Sequence, residues 1–220
     1  MITARFPAVK GILLSVNEKE GNVILGDRFV TLWGEDAITD TLLGCEFAIS
    51  APSFYQVNHA ATEVLYQTAA DLADIKEGDR VADLFCGIGT IGICLCKGKN
   101  VKSLVGVEII PEAVENAKEN ARRNGMENAE FYCGDANHPA LSGADVILVD
   151  PPRKGLEPAL IEKIAEINPR KVVYISCNPA TFARDLGLFQ THGYVCGDVQ
   201  PVNLFPRTAH VETVLCLTRR

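Results

Sequence analysis

From Arg80 onward the chain alternates short β-branched runs with segments of helical apolar spacing, and few architectures accept that alternation. Strand-like runs fall at Arg80–Phe85, Ser103–Val107, Ala129–Cys133, Ala144–Val149 and Lys171–Ile175. Helical patterns fill the gaps near Thr90–Lys97, Pro111–Asn124, Pro158–Ile167 and Thr181–Thr191, and another spans His59–Asp74. Strands joined by helices pair in parallel and need cover on both faces. Two last runs, near Tyr194–Val202 and His210–Thr218, are separated only by Asn203–Ala209, too short for a crossover helix. The spacing therefore predicts an α/β fold, a seven-stranded and mostly parallel sheet ending in an antiparallel hairpin.

Before residue 58 the pattern is different. The runs I-L-L-S-V, N-V-I-L and R-F-V-T-L-W, between Ile12 and Trp33, are separated by E-K-E-G and G-D turn signals and read as antiparallel hairpin sequence. A boundary is expected near residue 57. It divides a small β segment, 1–57, from an α/β domain, 58–220.

Composition narrows the class. With 220 residues and 47% apolar content the chain is expected to be soluble and globular, with a sizeable core. No apolar stretch approaches the ~20 residues of a membrane-spanning helix, and Met1–Lys10 lacks a signal peptide's apolar stretch, which points to the cytoplasm. Eight cysteines are scattered without C-x2-C spacing, so no metal is expected, and most read as small buried hydrophobes. Net charge is −7, which argues against binding nucleic acid by bulk electrostatics alone. Only residues 151–220 are net basic, with nine basic and six acidic groups, a weak pointer to a phosphate-facing surface.

Strand ends carry the candidate chemistry, because open parallel sheets bind ligands there. The first strand runs into Asp83-Leu84-Phe85-Cys86-Gly87-Ile88-Gly89-Thr90-Ile91-Gly92, a G-x-G-x-x-G turn, and Glu108 ends the second. Glycines allow close backbone approach, and a carboxylate at the second strand end can accept from two ribose hydroxyls. The pair suits NAD and S-adenosylmethionine equally. Asp135, after the third strand, suits an adenine amino group or an ordinary turn. Asp150, in D-P-P-R, projects from a proline-stiffened turn. Cys177, in S-C-N-P, leads into a helix whose N-terminus would favour its thiolate.

Taken together, D-L-F-C-G-I-G-T, V-E-I-I-P-E-A-V-E-N-A, D-P-P-R-K-G-L, Y-I-S-C-N-P-A-T-F-A-R-D-L and H-V-E-T-V closely resemble the RNA uracil-5 methyltransferase family. F-A-I-S-A-P-S-F-Y-Q-V-N, residues 47–58, extends the match over nearly the whole chain. The resemblance implies a Rossmann-like class I methyltransferase fold, S-adenosylmethionine as cofactor and an RNA substrate, ribosomal in preference to transfer RNA. It implies Cys177 as the nucleophile on uracil C6 and Glu212 as the base that removes the C5 proton. Gln56, Phe85, Glu108 and Asp150 match cofactor positions, and Gly87 and Asp135 are grouped with them. Phe54 matches the residue lining the flipped uridine's pocket, and Arg153 would contact phosphate or pair with a carboxylate. Nothing matches the family's N-terminal RNA-binding barrel, and the C-x5-C-x2-C ligands of its iron–sulfur members do not occur, so the chain looks like the catalytic domain alone. Three alternatives stay open: an NAD-dependent oxidoreductase, an amino-group methyltransferase, and an inactive cofactor-binding module.

Overall fold

The computed structural model describes residues 2–18, 20, 25, 26 and 28–219. After a short helix α1 (Ile2–Arg5), strands β1 (Gly11–Val16) and β2 (Arg28–Gly34) form one antiparallel hairpin, and β3 (Ala37–Leu42) and β4 (Cys45–Ser50) form another. The expected run N-V-I-L lies, except for Leu25, outside the described residues. The second hairpin is built into the main body. Its Leu42, Cys45 and Phe47 share a core with Leu65 and Tyr66 of helix α2 (His59–Ala73). Asn58 caps α2 by accepting from the Ala61 N–H, and its amide donates to the Leu204 carbonyl at 2.8 Å, tying the helix to the far end of the chain.

The main sheet follows the predicted alternation. Strands β5 (Arg80–Leu84), β6 (Ser103–Glu108), β7 (Ala129–Cys133), β8 (Val146–Val149) and β9 (Lys171–Ser176) pair in parallel. They are linked through helices α3 (Thr90–Cys96), α4 (Pro111–Arg123), α5 (Pro158–Ile167) and, after β9, α6 (Pro179–Thr191). Each of α4, α5 and α6 opens on a proline, whose fixed φ suits the first helical position and whose missing donor costs nothing there. Val146–Val149 is buried throughout, as expected for a strand covered on both faces. Two apolar cores, one on each face, hold the helices to the sheet.

One expected strand is broken. The run expected from Tyr194 to Val202 splits into β10 (Tyr194–Cys196) and β11 (Gln200–Val202), because the pairing lapses after the Gly197 N–H donates to the Cys216 carbonyl at 2.9 Å. Both pieces pair antiparallel with β12 (Glu212–Arg219), which pairs antiparallel with β9. The order across the sheet is β10-β12-β9-β8-β5-β6-β7, with β11 added beside β12. Strand order reverses between β5 and β8, the place where such sheets open a crevice. Because β12 runs against its neighbours, its first residue, Glu212, stands at the edge where the parallel strands end. Among the described residues no helix is long and apolar enough to cross a membrane.

Candidate active site

The cofactor end is built from the glycine turn and Glu108. Phe85 leaves β5 with φ +62°, a left-handed conformation that costs a non-glycine residue about 1–2 kcal/mol. It is held there by the next residue, since the Cys86 N–H donates to the Val107 carbonyl at 3.2 Å. Gly87 follows at φ +54°, and a Cβ placed on it would meet nothing of the protein within 4 Å. Internal packing therefore does not require this glycine; a left-handed backbone and an open face do. Gly92 is different, since a Cβ there would lie 2.8 Å from Asp83 Oδ2.

Glu108 is fixed by three backbone donors. Its Oε2 accepts from Gly87 N–H at 3.1 Å, and its Oε1 from Ile109 and Ile110 N–H at 2.8 and 3.1 Å. A carboxylate has about four acceptor sites, two on each oxygen, so Oε2 retains capacity for a ribose hydroxyl. Asp83 lies beneath, 1% exposed. Its Oδ2 accepts from Gly92 N–H at 2.8 Å, while Oδ1 has no partner among the described residues. Burial, reinforced by Glu108, pushes this carboxyl up to about 7.

Asp150, Cys177 and Glu212 form the chemical end. Val149 is level with Tyr174 in the β8–β9 pair, and Thr213 lies opposite Ser176 in the β9–β12 pair. The next step of the β9–β12 register sets Glu212 opposite Cys177, while Asp150 follows β8 level with Ile175, close enough for its charge to act on the thiol. Burial raises Asp150 to about 8, with Glu212 and then Asp83 adding to the effect. Glu212 is 4% exposed, and burial raises it too, against the pull of Arg153. The Cys177 thiol is raised by burial, then by Glu212 and Asp150, with Arg153 opposing. The direction is opposite to the expected thiolate: burial first, then the two nearby acids, push the thiol up.

The two loops are laced together. Asn178 caps α6 through the Ala180 N–H and donates its amide to the Arg153 carbonyl at 3.0 Å, and Thr181 Oγ1 donates to the same carbonyl at 3.1 Å. Fully buried Asp185 accepts from Leu156 N–H at 2.7 Å and from the Tyr174 hydroxyl at 2.6 Å, while Arg184 donates to the Lys154 and Leu156 carbonyls. The Asp150 turn is thereby held against the base of the Cys177 loop.

The remaining candidates lie more loosely. Asp135 is exposed, and its Oδ1 accepts from the Asn137 N–H at 2.8 Å, the turn-forming role. Arg153 is exposed, with its charge acting on Cys177 and Glu212. Phe54 is 74% exposed and Gln56 half-buried, on the loop between β4 and α2. The reading of most cysteines as small buried hydrophobes holds for Cys45, Cys86, Cys96 and Cys216, but Cys133 is exposed at the end of edge strand β7. Sequence reasoning missed Asp83, Asn178 and Asp185. Asp83 could have been found, since a charge inside an otherwise apolar strand is itself a signal.

Four carboxylates, Asp83, Glu108, Asp150 and Glu212, thus converge on one crevice. The acids at this site, Asp83 and Asp150 raised toward protonation by burial, accept a cationic ligand more readily than the diphosphate of a dinucleotide. S-adenosylmethionine fits, since it combines a ribose for Glu108 with a sulfonium and an ammonium. Among the described residues no group of three or more His, Cys, Asp or Glu could hold a metal ion.

Comparison with known proteins agrees with this geometry. Residues 75–189 match the family model of a methyltransferase domain. A protein of Clostridium acetobutylicum described as an uncharacterised RNA methyltransferase is 48% identical over the whole chain, and one of Lactococcus lactis with the same description is 47% identical. The chain spans about half the length of these relatives, 48% of each. Among solved structures, the tRNA (uracil-54, C5)-methyltransferase of Pyrococcus abyssi, in complex with S-adenosyl-L-homocysteine, superposes with TM-score 0.83 at 33% identity, over 98% of this chain and 53% of that one. TYW2 of Pyrococcus horikoshii, 17% identical with TM-score 0.69, shares the fold. A class I Rossmann-like sheet, a glycine turn opposite Glu108 and a family model covering more than half of the chain place it together: the chain belongs to the methyltransferase-domain family.

Proposed function

We propose that this chain is the catalytic part of an S-adenosylmethionine-dependent RNA uracil-5 methyltransferase acting in the cytoplasm, with residues 58–220 as its methyltransferase domain. The observation that carries this reading is the reversal of β12, which brings Glu212 to the strand ends where Cys177 and Asp150 already stand. A thiol flanked by a buried carboxylate serves addition followed by proton removal. An amino-group methyltransferase has no use for that pair, and a hydride-transferring enzyme gives it no shared task.

When bound, S-adenosylmethionine supplies a methyl carbon on a sulfonium cation. Once the Cys177 thiol has given its proton to solvent, Sγ bonds to uracil C6, and the C5–C6 π electrons move toward C5 as an enolate. The nucleophilic C5 so formed would take the methyl group that a bound S-adenosylmethionine would supply, the thioether leaving with the bonding electron pair. Glu212 takes the C5 proton, the C5–C6 double bond re-forms, and the bond from Cys177 to C6 breaks to return the thiolate. Raised by burial, Glu212 is a stronger base than an exposed glutamate. Asp150 and Arg153 position cofactor and RNA, and Glu108, Phe85, Gly87 and Gln56 hold the cofactor. Asp135 belongs at its adenine, and Phe54 offers a ring to the base taken out of its stack.

Ribosomal RNA is the substrate proposed first. A second reading, transfer RNA, has its own support in the 33% identity to a tRNA (uracil-54, C5)-methyltransferase. The test is incorporation of a labelled methyl group into ribosomal and transfer RNA, followed by nucleoside analysis. 5-Methyluridine is expected. Methylation at a base nitrogen or a ribose oxygen would overturn the reading.

A further inference from the structure

Two asparagines on one face of α4 and the C-cap Asn124 grip the neighbouring strand β4 as though the helix were another strand. Asn124 Oδ1 accepts from Glu46 N–H at 3.0 Å and its amide donates to the Glu46 carbonyl at 2.7 Å. Asn120 repeats this with Ala48, accepting at 2.8 Å and donating at 3.3 Å. Asn116 donates to Ser50 Oγ at 2.8 Å and Ser53 Oγ at 3.0 Å. The spacing works because four helical residues advance about 6 Å and two strand residues about 6.6 Å, so positions 116, 120 and 124 stay level with 50, 48 and 46.

One rung reaches further. Asn120, fully buried, also donates to the Ile88 carbonyl at 3.1 Å, in the middle of the glycine turn between Gly87 and Gly89. A single side chain therefore bridges the cofactor turn and β4. One helical turn away, Asn116 closes a three-way set with Ser50 and Ser53, whose hydroxyls lie 2.8 Å apart at the root of the loop bearing Phe54 and Gln56. Within the loop Tyr55 is also anchored, its hydroxyl donating to Asp40 Oδ2 at 3.1 Å and its ring packing on the core. Ala51, Pro52, Phe54 and Val57 are exposed, and a cavity of about 490 Å³ lies against it, lined by Leu13, Phe29, Pro52 and Asn116 among others.

We propose that Asn120 and Asn116 are positioning residues that couple the glycine turn to the 50–57 loop, so that an occupied cofactor site orders the loop that meets the substrate. The coupling rests on the proposed roles of Phe54 and Gln56. A bound cofactor steadies the turn at Ile88, Asn120 carries that restraint to Ala48, and Asn116 fixes the end of the same strand where the loop departs. The reverse also holds by linkage: ordering the loop tightens cofactor binding by the same factor.

Amide hydrogen exchange of residues 50–57 in the full chain, with and without saturating S-adenosylhomocysteine, tests this. Exchange is expected to slow by about fivefold or more in the unaltered chain. Asn120→Ala removes a buried rung and is apt to unfold, so the informative variants are Asn116→Ala and the double variant Ser50→Ala with Ser53→Ala. Each should bind S-adenosylhomocysteine within about the factor of five that separates coupled from uncoupled sites, yet lose the slowing. A residue of purely structural value would lower the melting temperature and leave the ligand-dependent slowing intact. Binding without slowing in the unaltered chain, or slowing that survives both variants, overturns the coupling and leaves the proposed function standing. Failure to bind S-adenosylhomocysteine at all overturns both.

Discussion

The two ends of the crevice hold their carboxylates in opposite ways. Glu108 receives three backbone N–H groups, whereas among the described residues no hydrogen bond reaches the side-chain carboxylates of Asp150 or Glu212. The glycine turn is preorganised for a ligand whose charge does not change there. The strand ends around Cys177 keep groups that must gain and lose protons, and burial without hydrogen bonds is what raises them.

Breaking the reactive side should give the largest effect. Glu212→Gln is expected to lower methyl transfer by about 10²–10⁴-fold, the range for losing a general base, while a Cys177-linked adduct accumulates on ordinary uridine RNA. Rates measured beside a denaturing gel check this, and normal turnover would remove Glu212 from the mechanism. Breaking the binding side should act differently. Glu108→Ala is expected to weaken S-adenosylhomocysteine by about 10–100-fold, from the loss of charge-assisted hydrogen bonds, with calorimetry as the readout.

Asp83 separates the two ends and sharpens the contrast through pH. Its carboxyl is raised to about 7, so the folded state holds a proton that the unfolded chain releases near pH 4. Its contribution to stability therefore falls as pH rises from about 4 to about 7 and is constant above that. Asp83→Asn should flatten this part of the profile, a difference of order 1–4 kcal/mol in urea unfolding at the two limits. An unchanged slope would mean that the carboxyl is ionised in place. The smallest effect concerns the thiol. Because Glu212 raises Cys177, Glu212→Gln should speed its alkylation by iodoacetamide near neutral pH by about two- to tenfold. Equal rates in both proteins would show that the carboxylate does not face the sulfur.

The difference between the two ends also explains what was legible in the sequence. Periodicity located the five parallel strands to within about two residues, because strands buried on both faces read as apolar runs whatever surrounds them. The cofactor end was readable for a similar reason, since a glycine turn and an acid at the next strand end are local in the chain. Asp150 and Cys177 stood out as strand-end residues, but Glu212, Gln56 and Phe54 entered only through family resemblance. The direction of the Cys177 shift was missed because it depends on acids from β12 and the β8 turn, which local sequence does not place beside it. The break at Gly197–Val199 went unread because β11 is set by pairing with β12. The asparagines of α4 look like a solvated helix face until Glu46, Ala48 and Ser50 are brought against them.

The central claim, that Cys177 bonds to uracil C6 and Glu212 then takes the C5 proton, is tested most directly with 5-fluorouridine RNA and S-adenosylmethionine, because fluorine cannot leave as a proton. Denaturing electrophoresis with mass spectrometry reads the outcome, and RNA binding is measured in parallel across salt concentration. The expected result is a denaturation-resistant complex of chain, RNA and one transferred methyl group that disappears in Cys177→Ala. An adduct that persists in Cys177→Ala, or RNA bound by the unaltered chain without any adduct, would contradict the account.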